Sequence, residues 1–139
     1  MKLALLATLC AGLVANIKVV DHKELKPHIY NGNKVTAVAN PALGSKEFEV
    51  WRSSWAPGQC TPLHSHNTEE IFVFMKGEGK VIIDGNTTFF KAPCTIICPA
   101  NKPHQFFNTG KEDTDAVVIM GANSQIVNAS SEVMHLPWR

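Results

Sequence analysis

Alternation of apolar and polar residues over short runs is the main pattern in this chain. The segment 46–52, KEFEVWR, alternates with a period of two, which is typical of a half-buried β-strand. Asp84-Gly85-Asn86 is a strong hairpin signal between two further apolar runs. No long stretch has the period of an amphipathic helix. Strands are predicted at 46–52, 70–75, 80–83, 87–90, 95–98 and 116–120.

Short strands of this kind favour a closed, all-β fold. Closing them into a barrel or a double-sheet jelly roll removes exposed edges and encloses a cavity. A chain of 139 residues with 45% hydrophobic and 18% charged residues normally makes one globular domain. We therefore predict a single all-β jelly-roll domain over residues 16–139 with a partly aromatic interior.

Three histidines and one glutamate have the spacing of a metal site. His64 and His66 lie two residues apart, so on a strand both side chains project from the same face. Glu70 opens the next predicted strand, and His104 follows a loop signal and heads another. These ligand types suit zinc, iron, manganese, nickel or copper. The alternative is that the histidines lie in solvated loops and bind no metal.

Charge and targeting signals restrict the partner and the compartment. The formal net charge of +1, without a basic stripe, argues against nucleic acid or an anionic membrane surface, so a small ligand is expected. Residues 1–15 have the pattern of a secretory signal peptide and are too short to span a bilayer; a buried N-terminal helix is the alternative. Asn86 and Asn128 begin N-glycosylation sequons. We expect a chain of the secretory pathway.

The cysteines do not form a complete disulfide set. Cys10 lies in the predicted signal, which leaves an odd count, so at least one thiol is free or pairs between chains. Cys94 and Cys98 would lie about 13 Å apart on an extended strand, beyond disulfide reach. Both are therefore predicted to be small core residues on one face. The pairing of Cys60 stays open.

Two motifs carry a family resemblance. The first, G-x5-H-x-H-x3-E-x6-G, runs from Gly58 to Gly77, and the second, P-x4-H-x3-N, runs from Pro99 to Asn108. Together they resemble the two motifs of the cupin superfamily, with Asn101 at a position where the second motif usually has glycine. The segments 46–51, 56–64, 69–79 and 103–108 further resemble the plant auxin-binding proteins of the endoplasmic reticulum.

The resemblance implies a cupin barrel with a metal inside. One divalent ion, zinc first and manganese or iron as alternatives, would be held by His64, His66, Glu70 and His104. A small aromatic carboxylate such as auxin would meet this ion with its acid group. The implied pocket residues are Trp51, Thr61, Pro62, Ile29 and Trp138.

The resemblance also bears on assembly and location. It implies a homodimer of barrels in the lumen of the endoplasmic reticulum. The plant proteins end in a KDEL retention signal, which does not follow Trp138 here, so release from the cell is equally expected.

Two functional classes remain open. The first is a metal-dependent receptor or binding protein in which Trp51 selects the aromatic ring. The second is a metal-dependent cupin enzyme, an oxidase, dioxygenase, decarboxylase or isomerase acting on a small organic acid. Glu69 is the one carboxylate next to Glu70 in sequence, and strand alternation turns it to the opposite face. A general acid or base is therefore not evident, which favours binding.

Overall fold

The computed structural model describes residues 17–139 and confirms the all-β prediction. The predicted signal peptide, residues 1–15, lies outside the described residues. Two short 3₁₀ turns, His22–Glu24 and Pro41–Leu43, are the helical elements between 17 and 139. The strands, numbered in chain order, are β1 His28–Tyr30, β2 Asn33–Ala39, β3 Phe48–Ser54, β4 His64–His66, β5 Glu70–Lys76, β6 Glu78–Ile83, β7 Asn86–Lys91, β8 Cys94–Cys98, β9 His104–Asn108, β10 Asp115–Gly121 and β11 Ile126–Asn128.

The strands form two antiparallel sheets, as a jelly roll requires. The order is β1-β2-β3-β10-β5-β8 in the six-stranded sheet and β11-β4-β9-β6-β7 in the five-stranded sheet. Neighbours in sequence often lie in different sheets, so the chain crosses repeatedly between them and encloses one interior.

Period-two alternation decides which side chains enter that interior. On β3, Glu49, Trp51 and Ser53 are buried, whereas Phe48 and Arg52 are exposed. The inward residues pair across the six-stranded sheet in register, with Trp51 opposite Val118 and Val118 opposite Phe72. Residues paired across neighbouring strands form a row, and successive inward-facing rows lie about 6.6 Å apart along the strands. The register therefore shows how far two inward residues are separated along the barrel.

Aromatic packing fills one part of the interior. The rings of Phe72 and Phe106, on opposite sheets, have centroids 4.2 Å apart, and Trp55 lies 5.6 Å from Phe106. All three side chains are at most 3% exposed. Truncating such a ring costs roughly 3–5 kcal/mol of stability. The two sheets are therefore joined by a rigid aromatic core that fixes the strands bearing the histidines.

Two turns have the backbone that their residues favour. Asp84 and Gly85 both have positive φ, 51° and 79°, which makes the predicted hairpin between β6 and β7 a tight turn of the primed type. Asn101 has φ 61° and donates its N–H to the carbonyl of His66 at 2.7 Å. Asparagine tolerates this left-handed conformation, so the loop before β9 keeps its turn without the usual glycine.

The described cysteines are all free. Cys98 is buried and Cys94 half-buried, both packed against the core as inward residues of β8, and Cys60 is half-buried near β9. Within residues 17–139, none of the helices has the length and apolar character needed to cross a membrane.

Candidate metal centre and its cavity

Strands from both sheets bring the four predicted donors together. His64 and His66 lie on β4, Glu70 on β5 and His104 on β9, where His64 and His104 are paired across the two strands. One ligand atom from each residue lies within 4.8 Å of all the others, a cluster that could hold a metal ion. Glu70, His66 and His104 are at most 2% exposed.

Backbone carbonyls fix the orientation of all three imidazoles. The Nδ1 atoms of His64, His66 and His104 donate to the carbonyls of Pro62, Thr68 and Lys102 at 2.8, 2.6 and 2.9 Å. A carbonyl only accepts, so each Nδ1 carries a proton and each Nε2 faces the cluster. This second layer of hydrogen bonds is the one that orients metal-binding histidines and sets their tautomer.

The carboxylate of Glu70 is the electrostatic centre of the cluster. Its Oε2 lies 2.9 Å from His66 Nε2, 3.1 Å from His104 Nε2 and 4.0 Å from His64 Nε2. Burial alone would raise the pKa of Glu70, but hydrogen bonds from His104 and His66 lower it to about 2. The same contacts overcome burial to raise the pKa of His66. The pocket therefore stabilises positive charge beside Glu70, whether protons or a cation supply it.

His64 differs from the other two histidines. Burial lowers its pKa to about 4, and Glu70 opposes this only in part. His64 is therefore neutral at physiological pH, with an Nε2 lone pair available for a metal.

A cavity of about 70 Å³ adjoins the cluster, with His64 and Glu70 in its wall. Most of its wall is aromatic or aliphatic. Four of the five residues predicted for the ligand pocket line the cavity: Trp51, Thr61, Pro62 and Trp138. Thr61 ties the loop before β4 to β9, since its Oγ1 accepts from the N–H of Phe106 at 3.0 Å.

Ile29 is the one of the five predicted pocket residues that the structure does not place at the cavity. Its side chain is 71% exposed and does not line the cavity, whereas its neighbour Tyr30 does. Adjacent residues of a strand face opposite sides, so β1 can present only one of the two to the interior. The ring of Tyr30 lies 5.4 Å from that of Trp138 in an edge-to-face contact.

Sequence analysis missed several cavity residues. Asn33 and Trp55 both line the cavity. Trp55 has the same strand parity as Trp51 and Ser53, a signal that could have identified it. Asn33 had no such signal, because a polar residue at the start of a strand is usually expected to face solvent.

The segment 133–139, here called the tail segment, closes one side of the cavity. Met134, Leu136 and Trp138 line the cavity, whereas Val133 and Pro137 are exposed. The Trp138 ring lies edge-to-face against Trp51 at 5.4 Å. An aromatic side chain of the protein itself therefore occupies space beside Trp51.

Two side-chain contacts and a backbone hydrogen bond from Met134 N to the Ile126 carbonyl, at 2.9 Å, hold the tail segment in place. Asn40 Nδ2 donates to the Trp138 carbonyl at 3.0 Å, and Arg139 Nε donates to Glu49 Oε2 at 2.7 Å. Glu49 is a second inward carboxylate, in the same cross-strand row as Met120 and Glu70. Its pairing with Arg139 leaves it unsuited to act as a free base, and Glu69 is exposed as predicted.

The two sequons differ in their surroundings. Asn86 is exposed at the start of β7, the edge strand of its sheet. Asn128 is half-buried, and its amide donates to Glu132 Oε2 at 2.9 Å. Attaching a glycan to Asn128 would therefore disrupt a local turn at a half-buried position, whereas Asn86, whose Nδ2 donates to the Asp84 carbonyl at 3.2 Å, is exposed.

Comparison with protein families gives one match, a model described as the cupin domain, over residues 51–120. That range contains all four clustered donors. Auxin-binding protein 1 of Arabidopsis thaliana is 38% identical over 95 residues, which cover 62% of this chain and 48% of that protein. The chain spans about half the length of the curated relatives it matches.

Solved structures give the same fold. The polyketide cyclase RemF from Streptomyces resistomycificus superimposes with a TM-score of 0.71 at 18% identity, over 88% of this chain and 91% of that one. An oxalate oxidase superimposes with a TM-score of 0.63 at 29% identity, over 71% of this chain and 56% of that one.

Proposed function

Because this chain belongs to the cupin domain family, we propose that it is a zinc-dependent binding protein for auxin or a similar small aromatic carboxylate. The observation that carries the proposal is the position of the donor cluster at the wall of an aromatic cavity, with His64 and Glu70 shared by both. The relatives named as auxin-binding proteins support this ligand class.

The charges of the site suit an acid. A divalent ion bound by His64, His66, His104 and Glu70 keeps a net charge of about +1, because three ligands are neutral imidazoles and one is a carboxylate. Within the cavity wall, Trp51 offers an aromatic surface for a ring. An anion with an aromatic body therefore matches both parts of the site.

The size of the cavity sets a condition on this function. Its volume of about 70 Å³ holds a few water molecules, whereas sites for drug-sized ligands are roughly 300–1,000 Å³. Trp138 fills the space beside Trp51 and Tyr30. Binding of an indole-sized acid therefore requires Trp138 and the tail segment to shift.

The buried carboxylates support binding over acid-base catalysis. Glu70 belongs to the donor cluster and Glu49 is paired with Arg139. A second candidate function is still favoured by one pair of observations, the small cavity and the 29% identity to an oxalate oxidase. In that case the bound metal would be manganese or iron, and a small organic acid would be the substrate.

Metal analysis and oxygen uptake separate the two functions. The protein is expressed without added metal, its metal content is measured, and oxygen consumption is followed with oxalate and glycolate. Zinc, together with heat on titration of indole-3-acetate, is the result expected of the binding protein. Manganese or iron with oxygen consumption would replace this function with that of an oxidase.

We further propose that the chain enters the secretory pathway, resident in the endoplasmic reticulum or secreted, and carries its glycan on Asn86. The predicted signal in residues 1–15 and the exposed position of Asn86 support this proposal. Expression in a eukaryotic host, N-terminal sequencing and glycosidase treatment test it. An intact Met1 contradicts the location, and a mass unchanged by glycosidase contradicts the glycan.

We also propose a homodimer. Outward-facing valine and isoleucine side chains of β10 and β5, including Val117, Ile119 and Ile71, lie side by side and only partly covered. A second copy would cover them. Light scattering at micromolar concentration is expected to give twice the mass of the chain, and the mass of one chain would contradict the dimer.

A further inference from the structure

Three buried polar atoms of the described residues have no hydrogen-bond partner, and all three belong to residues that line the cavity. They are Asn33 Oδ1, Trp51 Nε1 and Trp138 Nε1. An unpaired buried donor or acceptor costs roughly 1–3 kcal/mol, so folded proteins rarely retain one without a reason. Three around a single cavity indicate that a molecule within the cavity completes them.

The orientation of the Asn33 amide is fixed by its surroundings. Its Nδ2 donates to the carbonyl of Cys60 at 2.8 Å. Turning the amide over would place two acceptors against each other, so Oδ1 is the atom left without a partner. Asn33 is 4% exposed, so the partner of this oxygen must be a molecule inside the cavity.

The register of the six-stranded sheet separates Asn33 from the metal cluster. Glu49 on β3 shares a row with Glu70. Trp51 is the next inward residue along β3 and is paired with Ala37 on β2. Asn33 lies two inward positions beyond Ala37, on the side away from that row. The unpaired N–H of Trp51 is thus closer to the cluster, and the unpaired oxygen of Asn33 lies farther along the cavity.

We propose that the cavity selects a ligand with an acid group at the metal end and a hydrogen-bond donor, N–H or O–H, at the other end. Asn33 Oδ1 accepts from that donor and is a specificity-determining residue of the site. The inference rests on the proposed binding function and adds to it the polarity of the far end of the ligand. It distinguishes an indole acid, whose ring carries N–H, from aromatic acids that lack a donor.

Calorimetry with two ligands of nearly equal shape tests the proposal on the zinc-loaded protein. Indole-3-acetate carries the ring N–H, and 1-benzothiophene-3-acetate replaces it with sulfur. We expect indole-3-acetate to bind about 10-fold more tightly or better, because the analogue leaves the buried oxygen unpaired. Asn33→Leu should bring the ratio of the two affinities close to one without changing zinc content.

Val35→Ala is the matched control. Val35 lies on the same strand, two residues from Asn33, and also lines the cavity, but it has no polar side-chain atom. This variant should change both affinities in parallel and leave their ratio unaltered. Circular dichroism checks that the variants fold, and Asn33→Ala replaces Asn33→Leu if the larger side chain prevents folding.

The outcomes separate this inference from the function on which it rests. Equal affinities of the wild-type protein for the two acids overturn the inference and leave the binding function standing. A ratio that persists in Asn33→Leu and Asn33→Ala overturns the assignment to Asn33. If neither acid binds the zinc-loaded protein, the proposed function fails and the inference fails with it.

Discussion

At the donor cluster each imidazole Nδ1 has a carbonyl partner, and Glu70 lies within 3.1 Å of two imidazoles. Around the aromatic part of the cavity, Asn33 Oδ1 and two indole N–H groups have no partner. The first region is built by three strands, two from one sheet and one from the other. The second includes a tail segment held by two side-chain contacts and one backbone hydrogen bond to β11. The comparison contrasts a donor cluster whose side chains are oriented by hydrogen bonds with an aromatic cavity whose polar atoms are incompletely bonded.

The largest effect is expected from His104→Ala. Removing one of four donors, from a position that is fully buried, should weaken zinc binding by at least about 100-fold and abolish binding of aromatic acids. Chelator is expected to lower the melting temperature of the wild type but not that of His104→Ala. His22→Ala, at an exposed position outside the cluster, should behave as wild type. Unchanged zinc content in His104→Ala would refute the site.

A pH titration of the metal-free protein tests the buried state of His64. Its folded pKa, about 4, lies below the ordinary 6.5, so its contribution to stability is present above pH 6.5 and lost as pH falls toward 4. The expected loss in the free energy of unfolding is about 3 kcal/mol. The pKa of His66 is raised, so its contribution to the free energy of unfolding is fully present below pH 6.5 and does not change between pH 6.5 and 4. The pKa of Glu70 is lowered, so its contribution is lost only as pH falls from 4.5 toward 2.

Urea denaturation between pH 4 and 7 measures this dependence. His64→Ala should flatten the curve between pH 6.5 and 4, whereas His22→Ala should not. An equally steep curve in His64→Ala would mean that other groups cause the loss.

Arg139→Ala tests what holds the aromatic part closed. The substitution leaves the buried carboxylate of Glu49 without its partner. Because Arg139 is partly exposed, we expect a loss of about 2 kcal/mol, less than for a fully buried pair. Arg52→Ala is the control, since it breaks an exposed ion pair with Asp115 and should cost under about 1 kcal/mol. If urea denaturation shows equal losses in the free energy of unfolding for Arg139→Ala and Arg52→Ala, the contact between Arg139 and Glu49 contributes no more than an exposed ion pair.

Trp51→Leu is expected to have the smallest effect of these variants, and it tests whether the aromatic part of the cavity and the donor cluster act independently. Loss of the aromatic wall should weaken indole-3-acetate by roughly 10-fold. The affinity for glycolate and the zinc content should not change, because the donor cluster keeps all four ligands. A fall in zinc content would show that the two regions are not independent.

The cluster of three histidines and Glu70 could be predicted from the sequence because its signals are local. His64 and His66 share one strand face, Glu70 opens the next strand, and His104 follows a turn. The strand prediction worked for the same reason, and the hairpin at Asp84-Gly85 formed as its residues favour.

The cavity could not be predicted in this way because it depends on distant contacts. Asn40 and Trp138 are 98 residues apart, and Glu49 and Arg139 are 90 apart. The strand Asn33–Ala39 is missing from the predicted set, since its small alanines give a weak pattern. In the three-residue strand β1, an error of one position decides whether Ile29 or Tyr30 is expected to face the interior, because adjacent residues lie on opposite faces of the sheet.

The central claim is that the donor cluster holds a divalent ion to which an aromatic acid binds. Isothermal titration of indole-3-acetate into zinc-loaded and chelator-stripped protein at the same pH tests it most directly. The account predicts saturable binding to the zinc-loaded protein and none to the stripped protein, with binding restored when zinc is added back. Equal binding with and without zinc would contradict the account.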